Sequence, residues 1–162
     1  MTTPAVTTTH DLDAISCEID IAAPPDRIFK ALTDEKQLMS WFNDPSCPVK
    51  YWKIDPRLGG KYRYETTAGT VVVNGVREFK CHGEIVEYDP PRRLAYTWIA
   101  SWHDDKSLKT LVRYELSKQG SGTHVKVTHS NLANEAVARK DYSGGWPGVL
   151  VSLKAFAEKG AN

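Results

Sequence analysis

Between residues 49 and 130 apolar and polar side chains alternate with few breaks, and after Asn134 the apolar positions recur every three to four residues instead. That change of period constrains the fold more than any other feature. Alternation marks strands with one buried face, and the longer period marks a helix with one apolar stripe. VKYWKID, KYRYET, VREFKCHGEIVEYD, RLAYTWIA, LKTLVRYELS and THVKVTHSNL read as successive strands. The chain turns at Gly59-Gly60, Asn74-Gly75, Asp89-Pro90-Pro91 and Gln119-Gly120-Ser121-Gly122, and TVVV before Asn74 reads as one arm of a hairpin. Ahead of these, residues 14–22 alternate Ile15, Cys17, Ile19 and Ile21 against polar neighbours as a further strand. After Pro24-Pro25 come two short helices, one with Ile28, Phe29, Ala31 and Leu32 inward, the other opening at Thr33-Asp34 with Leu38, Trp41 and Phe42 inward. Trp146, Val149, Leu150, Leu153 and Phe156 mark one long C-terminal helix ending near Lys159. Gly144, Gly145, Pro147 and Gly148 weaken its first half, which predicts a kink there or a start near Trp146.

The resulting plan is α+β: a curved antiparallel sheet of six or seven strands, two short helices after the first strand, and a long C-terminal helix. An antiparallel sheet must cover its apolar face, and only that helix is long enough to do so. A curved sheet closed by one helix leaves a gap, and the chain holds 5 Trp, 7 Tyr and 4 Phe to line it.

At 162 residues the chain fits one domain, read as 14–160, after a loose Thr- and Ala-rich tail at 1–13. Lys plus Arg number 21 against 20 Asp plus Glu, so the basic excess of a nucleic-acid binder is missing. No apolar run approaches the roughly 18 residues that span a bilayer. The first residues lack the basic and apolar regions of a secretory signal, which predicts a cytoplasmic protein without a membrane partner. Cys17, Cys47 and Cys81 are odd in number and widely spaced, as expected of reduced thiols rather than disulfides or a zinc site.

Trp41, Phe42, Tyr62, Tyr64, Tyr96, Trp98, Tyr114 and Trp146 form an aromatic set, and those on strands share one side. With His129, Leu150 and Leu153 they are the candidate lining of a pocket. Taken singly, each ring is better explained by core packing; the set as a whole favours a pocket, because one helix cannot fill a wide curved sheet. His129 shares parity with Val125 and Val127 and so faces inward, where it is a hydrogen-bonded core histidine or, if functional, a general base with Tyr62 or Tyr96 as proton donor. His82 is a potential neighbour across the sheet, and His124 faces out. His103, Asp104 and Asp105 are metal-capable types, but adjacent residues rarely converge on one ion. The SWHDDKS loop reads better as a mobile lid bearing Trp102. Arg92 and Arg93 suit a solvated turn or a partner contact. Glu65, Glu84, Glu87 and Glu115 suggest no paired-carboxylate chemistry, and no phosphate loop, GxSxG or HExxH occurs, so neither cofactor nor metal is expected.

The ordered pieces PPDRIFKALTD with LMSWF, LGGKYRYE, HGEIVEYDPPRRLAYTW, THVKVTHSNL and GGWPGVLVSLKAF, spread over residues 14–159, resemble the helix-grip fold of the START-like (SRPBCC) superfamily, and within it the heat-shock protein 90 ATPase activator-like family. The resemblance implies a START-like helix-grip domain and, first, a binding protein for a small hydrophobic or aromatic molecule held between sheet and C-terminal helix. Its alternative is a stress-related module that contacts a chaperone or other protein, through a patch around Arg92, Arg93 and the SWHDDKS loop. The eukaryotic co-chaperone of the family carries an additional N-terminal domain for which this chain has no room. A third implied activity is a cyclase, dehydratase or hydrolase in the same cavity.

Overall fold

A computed structural model describes residues 3–159. Eight strands form one antiparallel sheet: β1 (Thr7–Thr8), β2 (Ile15–Ile21), β3 (Val49–Ile54), β4 (Lys61–Thr66), β5 (Lys80–Asp89), β6 (Arg93–Ala100), β7 (Thr110–Gln119) and β8 (Gly122–Ser130). Their order across the sheet is β1-β2-β8-β7-β6-β5-β4-β3, so β3 to β8 are a meander and β2 returns to pair with β8. The helices α1 (Pro25–Thr33) and α2 (Glu35–Trp41) carry the chain from one edge strand region to the other, and α3 (Ala136–Lys159) closes the fold. This is the α+β helix-grip arrangement expected.

The sheet is wider than the expected six or seven strands, because β1 forms inside the stretch expected to be a tail. Asp11 Oδ1 accepts from Thr9 Oγ1 (2.7 Å) and from Asp13 N (3.1 Å), which reverses the chain and lays Thr7 and Thr8 against Ser16 and Ile15. Residues 1, 2 and 160 lie outside the described residues. The TVVV arm also differs from expectation. Asn74 and Gly75 both take positive φ, 52° and 76°, as a tight hairpin turn requires, but the pairing stops at one bridge between Val73 and Val76.

Proline and charge define α1: Pro24 caps it, Pro25 opens its first turn, and Asp26 and Lys30 sit at the ends that suit their charges. Asp34 caps α2 by accepting from Gln37 N at 3.0 Å. Trp41 Nε1 then donates to Ala31 O at 2.8 Å, which locks α2 against α1. Of the two alternatives for α3, the start near Trp146 is not the one adopted. The helix starts ten residues before Trp146 and runs through Gly144, Gly145, Pro147 and Gly148. Burial of Ala138, Tyr142, Trp146, Leu150 and Leu153 outweighs the weak propensity of that turn. Its last turns lie along β2: Lys154 Nζ donates to Asp20 O (3.1 Å), and Glu158 Oε2 accepts from Ala22 N (2.8 Å).

Register decides which side chains meet on the inner face. Ile15, His129, Val112, Tyr96 and Ile85 form one cross-strand row, and Trp52, Tyr64, Cys81 and Ala100 another. Gly83 lies opposite Tyr62, and a Cβ there would come within 1.9 Å of Thr97 O. The bare backbone lets β6 close in, and Tyr62 Oη donates to that same carbonyl at 2.6 Å.

Candidate functional site

The expected pocket residues separate into two places. Tyr96, Trp98, Tyr114, His129, Trp146, Leu150 and Leu153 are all at most 5% exposed and pack into the centre of the core. Trp98 is the hub: the rings of Tyr62, Tyr64, Tyr96, Trp102, His129, Tyr142 and Trp146 lie 5.8–6.4 Å from it, centroid to centroid.

A hydrogen-bond chain fixes the tautomer of His129. Trp146 Nε1 donates to Nδ1 at 3.2 Å, so the proton of the neutral ring is on Nε2. Nε2–H faces Thr110 Oγ1 at 2.7 Å, and the Thr110 hydroxyl donates to Trp98 O at 2.7 Å. Burial first, and the His103 charge second, hold the His129 pKa well below that of a free imidazole. Both ring nitrogens are occupied, as in the core-histidine reading. Tyr62 and Tyr96 lie 4.6 Å apart, and burial pushes both hydroxyls up. The three groups offered as base and acid thus face one another and the core rather than an open space. Cys81 and Cys17 are buried thiols, the latter pushed up to about 11 by desolvation.

The SWHDDKS loop is latched, contrary to the expected mobile lid. The nearly buried Glu135 carboxylate accepts from Asp104 N (2.7 Å) and Asp105 N (2.9 Å). Asn74 Nδ2 donates to Trp102 O (3.0 Å) and Asp104 Oδ1 (2.8 Å). Trp102 packs edge-on against Phe79 at 5.1 Å. His103 turns inward, 2.7 Å from Tyr142 Oη, which also accepts from Trp98 Nε1 at 3.0 Å. Among the described residues no three His, Cys, Asp or Glu side chains are placed to hold a metal ion. Replacing Glu135 by Gln keeps one acceptor oxygen and turns an amide NH2 toward the other of the two N–H groups. The fold should lose about 1–3 kcal/mol, with faster amide exchange at Asp104 and Asp105. Unchanged exchange would remove the latch from the account.

The histidines give the fold a signed pH response. His129 and His103 have folded pKa values below 6.5, both chiefly by desolvation. The unfolded chain therefore binds more protons below that point, and their contribution is complete above pH 6.5 and lost on acidification. Each should cost up to about 1.4 kcal/mol per pH unit. His124 acts oppositely: its nitrogens lie 2.7 Å from Asp20 Oδ1 and 2.6 Å from Glu18 Oε1, and its raised pKa makes its contribution complete on the acid side and lost as pH rises. Urea midpoints between about pH 7.5 and pH 5 test this, and a flat acid limb would refute it.

The second place is a cleft of about 550 Å³ between α3 and the α2–β3 loop. Trp41, Phe42 and Tyr64 furnish its rings, with Phe42 centroids 5.4 Å from Trp41 and 5.5 Å from Tyr64. Opposite them are Gly144, Gly145 and Gly148, where a Cβ would meet nothing within 4 Å. The loop wall is held by its own side chains: Asp44 Oδ1 accepts from Ser46 N (2.9 Å) and Ser46 Oγ (2.7 Å), and Asn43 Oδ1 from Val49 N (3.1 Å). These Ser46 bonds lower the Asp44 pKa. Cys47 is half-buried on the same wall and its thiol is pushed up, mainly by burial. One helical turn before the glycines stands Asp141, with no hydrogen bond or ion pair among the described residues and a carboxyl held above the usual range by desolvation. Beyond burial, the charges of Asp44 and Asp141 also help to hold the Cys47 thiol and the Tyr64 hydroxyl up.

A larger hollow of about 690 Å³ takes in Tyr62, but its rim is Lys53, Lys61 and Arg63 on the outer face. The side chains of Lys53 and Lys61 are 71% and 78% exposed, so that hollow encloses little. Sequence reasoning missed Asp44, Asp141, Tyr142 and the three glycines. Starting α3 at Ala136 would have put Asp141, Gly144, Gly145, Gly148 and Ser152 on one stripe.

The family described as "Activator of Hsp90 ATPase homolog 1-like protein" matches residues 22–158. Among solved structures, protein Ms6760 from Mycobacterium smegmatis is 20% identical with a TM-score of 0.75, over 97% of this chain and 95% of that one. A protein from Arthrobacter aurescens is 16% identical with a TM-score of 0.79, over 99% and 95%. The AHSA1-like protein from Aeromonas hydrophila is 21% identical with a TM-score of 0.70, over 91% and 93%. At such identities the likeness concerns the fold. No curated protein matches the chain.

Proposed function

The chain belongs to the Activator of Hsp90 ATPase homolog 1-like family, and from that premise we propose that it binds a small, largely apolar molecule in the cleft between α3 and the α2–β3 loop. The observation that carries this reading is the pairing of three aromatic rings with three glycines across about 550 Å³ of open space. Rings give contact area at low entropic cost, and missing side chains give a flat molecule room to slide against helix backbone. Glycine in a helix interior costs about 1 kcal/mol relative to alanine. Three in one turn forgo stability that a chain needing only a packed helix would keep. The site is an open cleft, shifted from the core-centred pocket read from the sequence: Trp41, Phe42 and Tyr64 belong to it, and Tyr96, Trp98, Tyr114, His129, Trp146, Leu150 and Leu153 form the scaffold behind it.

Titration of tryptophan fluorescence with naphthylethanol tests the reading. Saturable quenching that shrinks in a Trp41→Phe variant is expected. A flat response up to the solubility limit overturns it.

The family description also favours contact with an Hsp90-type chaperone. The patch expected to make it is not contiguous. Arg93 opens β6 and the SWHDDKS loop follows its last residue, about 25 Å away at 3.3 Å per residue. Arg92 and Arg93 are each paired with an acid, Asp89 and Glu87. Stimulation of a chaperone ATPase by the added protein would support this second reading, and an unchanged rate would count against it. No helix of the described residues is long and apolar enough to cross a membrane.

A further inference from the structure

The cleft carries a charge asymmetry that its apolar character does not require. Its lining residues include no lysine or arginine. One carboxylate, Asp44, stands on the loop wall, held as an anion by two Ser46 donors. A second, Asp141, is on the helical stripe that continues into Gly144, Gly145 and Gly148, and it has no hydrogen bond or ion pair among the described residues. Two cations of the region are engaged elsewhere: Arg139 donates to the carbonyls of Leu132 and Ala133, and Lys154 to Asp20 O and Glu158. Lys50 and Lys140, next in sequence to Val49 and Asp141, are exposed and outside the lining. The remaining polar groups of the lining, Asn43, Cys47, Tyr64 and Ser152, are neutral. The rings of Trp41, Phe42 and Tyr64 share the lining with Asp44, and their faces attract cations as well as apolar surface.

We infer that the molecule taken by this cleft is an amphiphilic cation: a flat apolar or aromatic body that lies between the rings and the glycine face, bearing an ammonium or similar group that pairs with Asp141 and Asp44. This rests on the cleft being the binding site. A fatty acid or other anionic amphiphile would meet two like charges and no counter-charge there. A neutral molecule would leave Asp141 without a partner in a partly desolvated position. An ammonium group replaces the water that the carboxylate has lost, and it keeps three donors for Asp44, Asp141 and the Tyr64 hydroxyl.

Three probes with one ring system separate the possibilities: naphthylethylamine, naphthylethanol and naphthylacetate, each titrated calorimetrically near neutral pH. The amine should bind about tenfold more tightly than the alcohol, with the acetate weakest, and raising the salt concentration should narrow the spread. In an Asp141→Asn variant the amine-to-alcohol ratio should collapse towards one. The side chain has no bonded partner to strand, so the fold should tolerate the change, and a circular dichroism melt confirms that it does. Equal binding of amine and alcohol, or tightest binding of the acetate, overturns the cation while leaving the cleft as a binding site. Failure of all three probes overturns both.

Discussion

Replacing Trp98 by alanine should destabilise the protein by about 3–5 kcal/mol. The side chain is 3% exposed and stands among seven rings. Its loss opens a cavity that β-sheet backbone cannot collapse to fill, and close-packed neighbours lose their contacts outright. It also removes the Nε1 donor to Tyr142 Oη, so a buried hydroxyl already engaged with His103 loses one partner. Guanidinium unfolding followed by far-UV circular dichroism measures the loss. Trp98→Phe should fall between the two, because the phenyl ring restores much of the volume but not the donor. A loss under about 1 kcal/mol for the alanine variant would mean that the ring cluster is looser than its distances imply. Trp98 was a candidate binding residue in sequence. In the folded chain it is buried among rings in the core and does not line the cleft, so its removal should act on stability before binding.

Gly148→Phe should have the opposite profile. A Cβ at Gly148 meets open space, and the position faces the rings across the cleft. A phenyl group there occupies the volume assigned to the ligand, and naphthylethanol affinity should fall by about a hundredfold or more. Stability should hold or rise, because any ordinary residue is a better helix former than glycine by several tenths of a kcal/mol. Gly148→Ala is the control. It should raise stability by about 0.5–1 kcal/mol and leave most of the affinity. If Gly148→Phe binds naphthylethanol as the unsubstituted chain does, the molecule sits elsewhere and the cleft reading fails.

The contrast between Trp98 and Gly148 shows where the sequence stops being informative. Alternation is a one-dimensional record of which face is buried. It placed Val125, Val127 and His129 inward on β8, as they are. It says nothing about what lies across from them. The partners of His129 are Thr110 on β7 and Trp146 on α3, and neither is predictable without register and helix phase. For the same reason alternation could not separate rings that fill the core from rings that border an opening. Trp98 and Tyr64 share parity rules but differ in neighbours. Helix propensity misled more directly. Gly144, Gly145, Pro147 and Gly148 locally argue against a helix, and only the burial of Tyr142 and Trp146 on the sheet overrides them. Either alternative, a kink or a start near Trp146, treats the glycines as a weak point in the helix rather than as one wall of a cleft, and the late start also leaves Asp141 off the stripe. The tight turn at Asn74-Gly75 was legible from its residue types. That Asn74 would spend its amide on the Trp102 carbonyl was not, because that contact is 28 residues away.

The fastening of α3 along β2 bears on how molecules of this protein meet one another. An open sheet ends in strands whose outward amides and carbonyls invite another chain to add on. β1 covers only Ile15 and Ser16 of β2. Further along, Lys154 occupies the Asp20 carbonyl and Glu158 the Ala22 amide, and the two side chains are themselves joined at 2.5 Å. The final turns of the helix thus act as a guard rail on that border, leaving an intruding strand few free groups to zip onto. A chain trimmed before Lys154 would lose the rail and gain a sticky rim, and its tendency to stack into higher assemblies should climb accordingly.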